Sequence, residues 1–197
     1  MDTWTICDKP LEFISDGHIY IYDGIILPSI TTMLRSRFGG KYEGISKATL
    51  SRASQLGTQV HEAIERYEKQ GEETDLSELR NWKFLKKAYG FTCKDNEVPV
   101  VLFDDGEPIA CGRLDLVLEQ DGKTGLGDIK RTSSLDKNYL AYQLNLYRVA
   151  YQQCYGAEIE FLKGVHLRED VRKYVDIPVN EEFITEFIKE WKEENGV

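Results

Sequence analysis

The residues with most chemistry in them lie near the middle of the chain. Asp128-Ile129-Lys130 is an acid-x-Lys triplet, and Asp115 precedes it. Between them, Asp121-Gly122 has the composition of a two-residue type I′ hairpin turn. Such a turn pairs Gln120 with Lys123 and Glu119 with Thr124. Continuing the ladder sets Asp115 opposite Asp128, and Arg113 opposite Lys130. Alternation along the strands then gives Asp115, Asp128 and Lys130 one face. Leu114, Leu116, Leu118 and Ile129 take the other face, which reads as core. Carboxylates directly across a ladder lie about 5 Å apart. They repel by about 3 kcal/mol at an effective dielectric near 20. A divalent cation turns that repulsion into binding, and hard cations such as Mg²⁺ and Mn²⁺ take carboxylate oxygens. Lys130 would stand beside the bound water and a substrate phosphate. A plainer reading is an edge hairpin with solvated charges. Acid-x-Lys also occurs at Asp121/Lys123 and Glu190/Lys192, but only Asp128/Lys130 has a second acid in register on a strand.

Two helical stretches add candidates. His61 and Glu65 share a helix face at i,i+4. His61 reads either as a surface histidine or as a metal ligand through neutral imidazole. Gln143 and Tyr147 are spaced likewise on the helix after the hairpin. Plainly read, Tyr147 is core and Gln143 faces solvent. Functionally read, they are an amide and a phenol that orient a nucleotide.

The elements that position these groups follow from period and turn chemistry. Residues 18–27 form a hairpin about Asp23-Gly24. Ser29 caps a helix closed by Gly39-Gly40, and helices follow over 46–70 and 76–89, ending at Gly71 and Gly90. Strands are predicted over 97–103, 109–119 and 124–131. A helix spans 134–155, with Ser134 as N-cap and Gly156 at its end; Leu140, Leu144, Tyr147 and Tyr151 form its stripe. Strands over 158–167 and 173–177 precede a last helix, capped by Asn180 and running to about residue 194. The order predicts an α/β (α+β) fold: a central mixed sheet flanked by helices. One domain spans 1–197. It divides into an N-terminal hairpin and basic helical segment (1–55), a core (56–178) and a C-terminal helix (179–197).

Composition bounds the rest. With 197 residues, 41% apolar and 30% charged, the chain is globular. It has no apolar stretch of membrane-spanning length. The start lacks a basic n-region and an apolar h-region, so a cytoplasmic protein is expected. The net charge of −9 argues against binding nucleic acid by bulk attraction. The charge is uneven, however. Residues 29–55 carry Arg35, Arg37, Lys41, Lys47 and Arg52 against Glu43 alone, whereas 62–78 and 169–197 are acidic. Cys7, Cys93, Cys111 and Cys154 are scattered, which reads as four reduced and mostly buried thiols.

Taken together, Gly57-x-x-x-His61, Gly112-x-x-Asp115, Asp128-x-Lys130 and Gln143-x-x-x-Tyr147 resemble the PD-(D/E)XK nuclease superfamily in order and spacing. The resemblance is to its RecB-like, phage-type exonuclease branch. Glu97-Val98-Pro99 and Pro28-Ser29-Ile30-Thr31 also resemble that branch. The resemblance implies a restriction-endonuclease-like core and a deoxyribonuclease dependent on Mg²⁺ or Mn²⁺, acting on DNA ends in recombination or repair. His61, Asp115, Asp128 and the Ile129 carbonyl would hold the metal. Lys130 would position or deprotonate the attacking water, and Gln143 and Tyr147 would contact DNA. Thr or Ser often follows the motif lysine in that family; here Arg131 does, either a further phosphate contact or a solvated charge. The basic segment, Arg37 and Lys47 included, would line the DNA entrance, with Phe38 or Tyr42 stacking on bases and the acidic faces turned away. No cysteine follows Cys154, so no iron–sulfur cluster is expected. A recombination partner such as a single-strand annealing protein is compatible, and the oligomeric state is left open. The alternatives are a structure-specific or restriction-type endonuclease, and a non-catalytic DNA-binding or assembly module.

Overall fold

Strand period and helix period separate in space into two sheets and their covering helices. The computed structural model describes residues 1–39, 44 and 46–196. Lys41 and Tyr42, two of the expected DNA-entrance residues, and Gly40, half of an expected helix stop, lie outside the described residues.

The first sheet is an antiparallel meander of β1 (Asp2–Ile6), β2 (Lys9–Ile14), β3 (Ile19–Tyr22) and β4 (Ile25–Leu27). The β3–β4 turn is the expected one, with φ of 50° at Asp23 and 79° at Gly24. Strands β1 and β2 escape the sequence reading because their turn is Cys7-Asp8. Both residues have positive φ, 49° and 63°, without a glycine to announce it.

Ser29 caps the next segment by accepting the Thr32 N–H at 3.0 Å. The single helix expected there is two short pieces, α1 (Ile30–Met33) and α2 (Arg35–Phe38), joined at Leu34. Helix α3 (Lys47–Gln70) is the expected long one, capped by Ser46 and stopped by left-handed Gly71. Helix α4 (Ser77–Tyr89) stops at left-handed Gly90.

The second sheet holds β5 (Thr92–Asp104), β6 (Glu107–Gln120), β7 (Lys123–Lys130), β8 (Phe161–Leu167) and β9 (Arg172–Ile177) in that order. All neighbours are antiparallel except β7 and β8. That parallel pair needs a crossover, and α5 (Lys137–Tyr155) supplies it. The mixed sheet is as the sequence predicts, but several boundaries move. Strand β5 starts at Thr92 rather than residue 97, and β6 at Glu107 rather than 109. Asp136, not Ser134, caps α5. Strand β8 starts at Phe161 rather than residue 158. Glu181 precedes the last helix, α6 (Glu182–Asn195). Asn180 instead donates its backbone N–H to Asn145 Oδ1 at 2.9 Å.

Helices cover both faces of this sheet. Val117 and Leu126 pack with Leu140, Leu144 and Tyr147 of α5. Leu116, Leu118 and Ile129 pack with Val60 and Ile64 of α3 and Leu79 and Trp82 of α4. Val101 and Cys111 meet the first sheet at Leu11, Phe13 and Tyr22. The second hairpin is therefore central rather than an edge with one solvated face, and β7 is buried almost continuously. Leu114 departs from its expected companions and joins the α5 side. The β5–β6 ladder skips Glu97 and Asp115 just there, and Glu97 has φ 53°. Of the cysteines, Cys111 is buried and Cys7 is exposed, with Cys93 and Cys154 between; the expectation of mostly buried thiols is too strong. Among the described residues, no helix is long and apolar enough to cross a membrane.

Candidate metal centre and its lysine

The hairpin register is the expected one. Gln120 pairs with Lys123, Glu119 with Thr124, and the ladder runs on to Leu116 with Gly127. It stops there, one residue short of the acids. Strand β6 is thus freed on both sides at Asp115, whose carboxylate takes over the ladder's work. Asp115 Oδ2 accepts the Ile129 backbone N–H at 2.7 Å. On the same edge of β7 the Ile129 carbonyl meets His61 Nε2 at 3.3 Å.

Helix α3 presents His61 to this point. Its other ring nitrogen, Nδ1, lies 3.3 Å from Glu97 Oε1 and 3.7 Å from Asp115 Oδ1. Burial pulls the imidazolium down, but Asp115 and Glu97 outweigh it and leave the pKa raised to about 9. Without a metal His61 is a cation among acids, and a cation bound at its nitrogen must displace a proton.

Asp128 is buried, with its side chain 3% exposed, and Oδ2 lies 2.6 Å from Lys130 Nζ. The approach is close but poorly aligned, so Oδ2 has no hydrogen bond of proper geometry. Burial pushes the Asp128 pKa up to about 6, against the opposing pull of Lys130. Asp115 is also raised, by burial first, with His61 opposing and Glu97 adding to it. Lys130 is depressed by burial, but Asp128 and Asp115 outweigh that and raise it. Charge wins over burial at this lysine, a balance that the sequence leaves open.

The tightest group of candidate ligand atoms among the described residues is His61, Glu97 and Asp115, all within 4.8 Å of one another. Glu97 thus stands where the sequence reading has Asp128. Asp115 engages the Ile129 amide and His61, and Asp128 engages Lys130. Glu97 is the residue that the sequence reading missed as a participant, although its Glu97-Val98-Pro99 triplet was visible. Its positive φ is not legible in a sequence. Arg113 holds it, Nε to Oε2 at 3.0 Å. The expected pairing of Arg113 against Lys130 is not made, because the β6–β7 ladder ends before it and Arg113 pairs with Pro99 of β5.

The donor set fits a hard divalent cation. It offers buried carboxylates, a peptide carbonyl and one imidazole, with no thiolate. The 3.3 Å gap between His61 Nε2 and the Ile129 oxygen suits adjacent ligands on one ion with bonds of about 2.1 Å.

Gln143 and Tyr147 are each 4% exposed, so neither is a surface contact for DNA. Tyr147 lies across Gly112, where a Cβ would sit 2.8 Å from its ring. The two motifs Gly112-x-x-Asp115 and Gln143-x-x-x-Tyr147 thus meet as one packing contact beneath Asp115. Gln143 is buried, not solvent-facing, and its Oε1 lacks a partner.

The expected phosphate contacts fare differently. Arg131 Nε is held by buried Glu78 Oε1 at 2.7 Å and is a structural ion pair, not a free contact. Arg37 pairs with Glu190 of α6 at 3.0 Å and lies over the Tyr142 ring. The acidic C-terminal face is therefore joined to the basic segment rather than turned away from it. Lys47 is exposed at the first residue of α3, about 21 Å along the axis from His61 at 1.5 Å per residue.

A scan against protein-family models gives no match, and a search of curated proteins gives none either. Among solved structures, one titled "Crystal structure of SSO0001" aligns with a TM-score of 0.46 at 18% identity, over 84% of this chain and 74% of that one.

Proposed function

We propose that the protein is a deoxyribonuclease dependent on Mg²⁺ or Mn²⁺ that hydrolyses phosphodiester bonds from DNA ends, in a cytoplasmic setting. One observation carries the reading: His61 lies between the Ile129 carbonyl, at Nε2, and the Asp115 and Glu97 carboxylates, at Nδ1, next to the strand end that carries the buried Asp128–Lys130 pair. His61, Asp115, Asp128 and the Ile129 carbonyl would hold the cation, with Glu97 beside His61 Nδ1. A carboxylate on the second ring nitrogen of a ligand histidine sets its tautomer and orientation. A metal bound here supplies hydroxide near neutral pH and offsets charge on the pentacovalent phosphorus. Lys130, raised by its acids, acts as a charged donor to the phosphate oxygens and holds the attacking water, rather than taking its proton. Asp115 holds the Ile129 backbone N–H, and Gly112 with Tyr147 keeps Asp115's strand in place.

Linear and circular DNA digested with Mn²⁺, with EDTA as control, tests the reading. Loss of linear DNA alone supports an exonuclease. Cutting of circles makes the enzyme an endonuclease, and no metal-dependent turnover of either leaves a DNA-binding module.

A further inference from the structure

Two of the four cysteines come together where the first sheet meets the end of α5. Cys7 opens the turn between β1 and β2; it is exposed, and its backbone has φ 49°. Its Sγ lies 4.0 Å from the carbonyl oxygen of Gln153, the residue before Cys154. Cys154 stands in the last turn of α5. Val101 of β5 holds its sulfur on two sides, donating its N–H at 3.2 Å and accepting the thiol at its carbonyl oxygen, also at 3.2 Å. Gln153 fixes the same turn of helix to β5, for its side-chain amide bonds the Phe103 N–H and carbonyl at 2.9 Å each. Burial pushes the Cys154 pKa up to about 12 against the pull of the Val101 N–H, and the neighbouring Cys7 thiol adds to the rise. Buried Cys111, across the ladder from Val101, is the other thiol on this side of β5.

The pair is chemically unequal. The thiolate is the attacking form. Cys7 is open to solvent, whereas Cys154 is partly covered and holds its proton at neutral pH. Cys7 therefore meets a small disulfide first. Its sulfur breaks the S–S bond of that reagent, forms a mixed disulfide and releases one thiol. Cys154 then gives up its proton, attacks the Cys7 sulfur and releases the second thiol. Two protein thiols are oxidised, and one small disulfide is reduced to two thiols.

We propose that Cys7 and Cys154 form a reversible disulfide by exchange with a small-molecule disulfide such as oxidised glutathione, tying the β1–β2 turn to the end of α5. The bond closes a loop of about 150 residues that contains His61, Glu97, Asp115, Asp128 and Lys130, so it staples the whole unit that carries the metal centre. In a reducing compartment a bond of this kind is transient and reports the redox state.

The full chain, first reduced and then held with oxidised glutathione in EDTA, tests the proposal. Thiol titration, peptide mass mapping and thermal unfolding are the readouts. Cys7 and Cys154 should both be lost to titration and found in one linked peptide pair. The melting temperature should rise by roughly 4–16 °C and return on reduction. Cys154→Ser keeps a hydroxyl for the Val101 backbone and should stop at one glutathione on Cys7, with no comparable rise. Cys7→Ser should leave Cys154 unmodified. A wild-type chain that keeps both thiols, stops at the glutathione adduct on Cys7, or links Cys154 to Cys111 overturns the proposal. A linked chain that melts no higher than the reduced one overturns the staple. The test uses neither metal nor DNA, so its outcome is separate from that of the nuclease reading.

Discussion

At the scale of single residues, the centre is a balance of three acids, Glu97, Asp115 and Asp128, against His61, Arg113 and Lys130. Each acid has a cation in reach. The simple picture of two repelling aspartates therefore needs refinement. Asp115→Asn removes one acid while its amide oxygen can still accept the Ile129 N–H. It should abolish Mn²⁺-dependent cleavage yet leave the metal-free melting temperature unchanged or higher. Asp128→Asn should also abolish cleavage, but it strips Lys130 of its nearest counter-ion, so no stabilisation is expected. Thermal unfolding in EDTA separates the two, and a marked loss of melting temperature in Asp115→Asn would sink the assigned hydrogen bond. The pH dependence of the metal-free protein follows from the same groups. His61 is raised to about 9 from an unfolded value near 6.5. Its contribution is complete below 6.5 and is lost as the pH rises through 9. Asp128 is raised to about 6, so its buried charge weakens the fold as the pH rises from about 4 through 6. Both act in one direction, because the folded state binds more protons. Stability in EDTA should fall from pH 5 to pH 9, and His61→Gln should flatten the upper part. An unchanged slope between pH 6.5 and 9 in that variant would refute the assignment.

At the scale of elements, the turns and stops that use glycine were legible: Asp23-Gly24, Asp121-Gly122, Gly71, Gly90 and Gly156 all fall where the sequence places them. What was hidden includes one glycine turn, at Gly17 between β2 and β3, but the rest uses no glycine. The Cys7-Asp8 turn hides β1 and β2, and the left-handed Glu97 hides the irregularity that frees Asp115. The register of the hairpin was legible as far as Leu116 with Gly127, because turn chemistry fixes it. The rotation of the acids toward Lys130 and Ile129 was not, since it depends on neighbours from α3 and β5 that are distant in sequence. Two motif glycines now differ in physical meaning. Gly112 has no room for a side chain under Tyr147, so Gly112→Ala should destabilise the fold and displace the ring. Gly57, one turn before His61, has open space about its missing Cβ. Packing does not require it, and mid-helix it costs about 1 kcal/mol relative to alanine. A site where a ligand's backbone comes close is the other use for such a residue. Gly57→Ala should therefore raise the melting temperature while weakening DNA binding in Ca²⁺. A stabilised variant with unchanged binding would remove α3's glycine from the DNA path.

At the scale of the whole molecule, a chain of net charge −9 must hold DNA locally. The positive edge of the site is only part of the one the charge count picks out. Arg35 is exposed and lines a cleft beside Lys130. Arg37, by contrast, is tied to Glu190, and Arg131 to Glu78. Neutralising a base that touches phosphate lowers the salt slope of binding by roughly one, with little dependence on sequence. Arg35→Gln should do so on any DNA that reaches the centre. Arg37→Ala should leave the slope nearly unchanged, because the charge it removes is already compensated. Lys47 gives a test of direction. It stands about 21 Å from His61 along α3, about six nucleotides at the 3.4 Å per-strand spacing of duplex DNA. If DNA runs along that helix, Lys47→Ala lowers the salt slope for a 20-nucleotide strand and not for a four-nucleotide one. Such a variant should raise KM on long DNA and leave kcat alone, whereas Lys130→Ala should abolish kcat with little change in affinity. A Lys47→Ala slope that is unaltered at both lengths would take the DNA off α3 and leave the side of the site that carries Arg35 as its route to the metal.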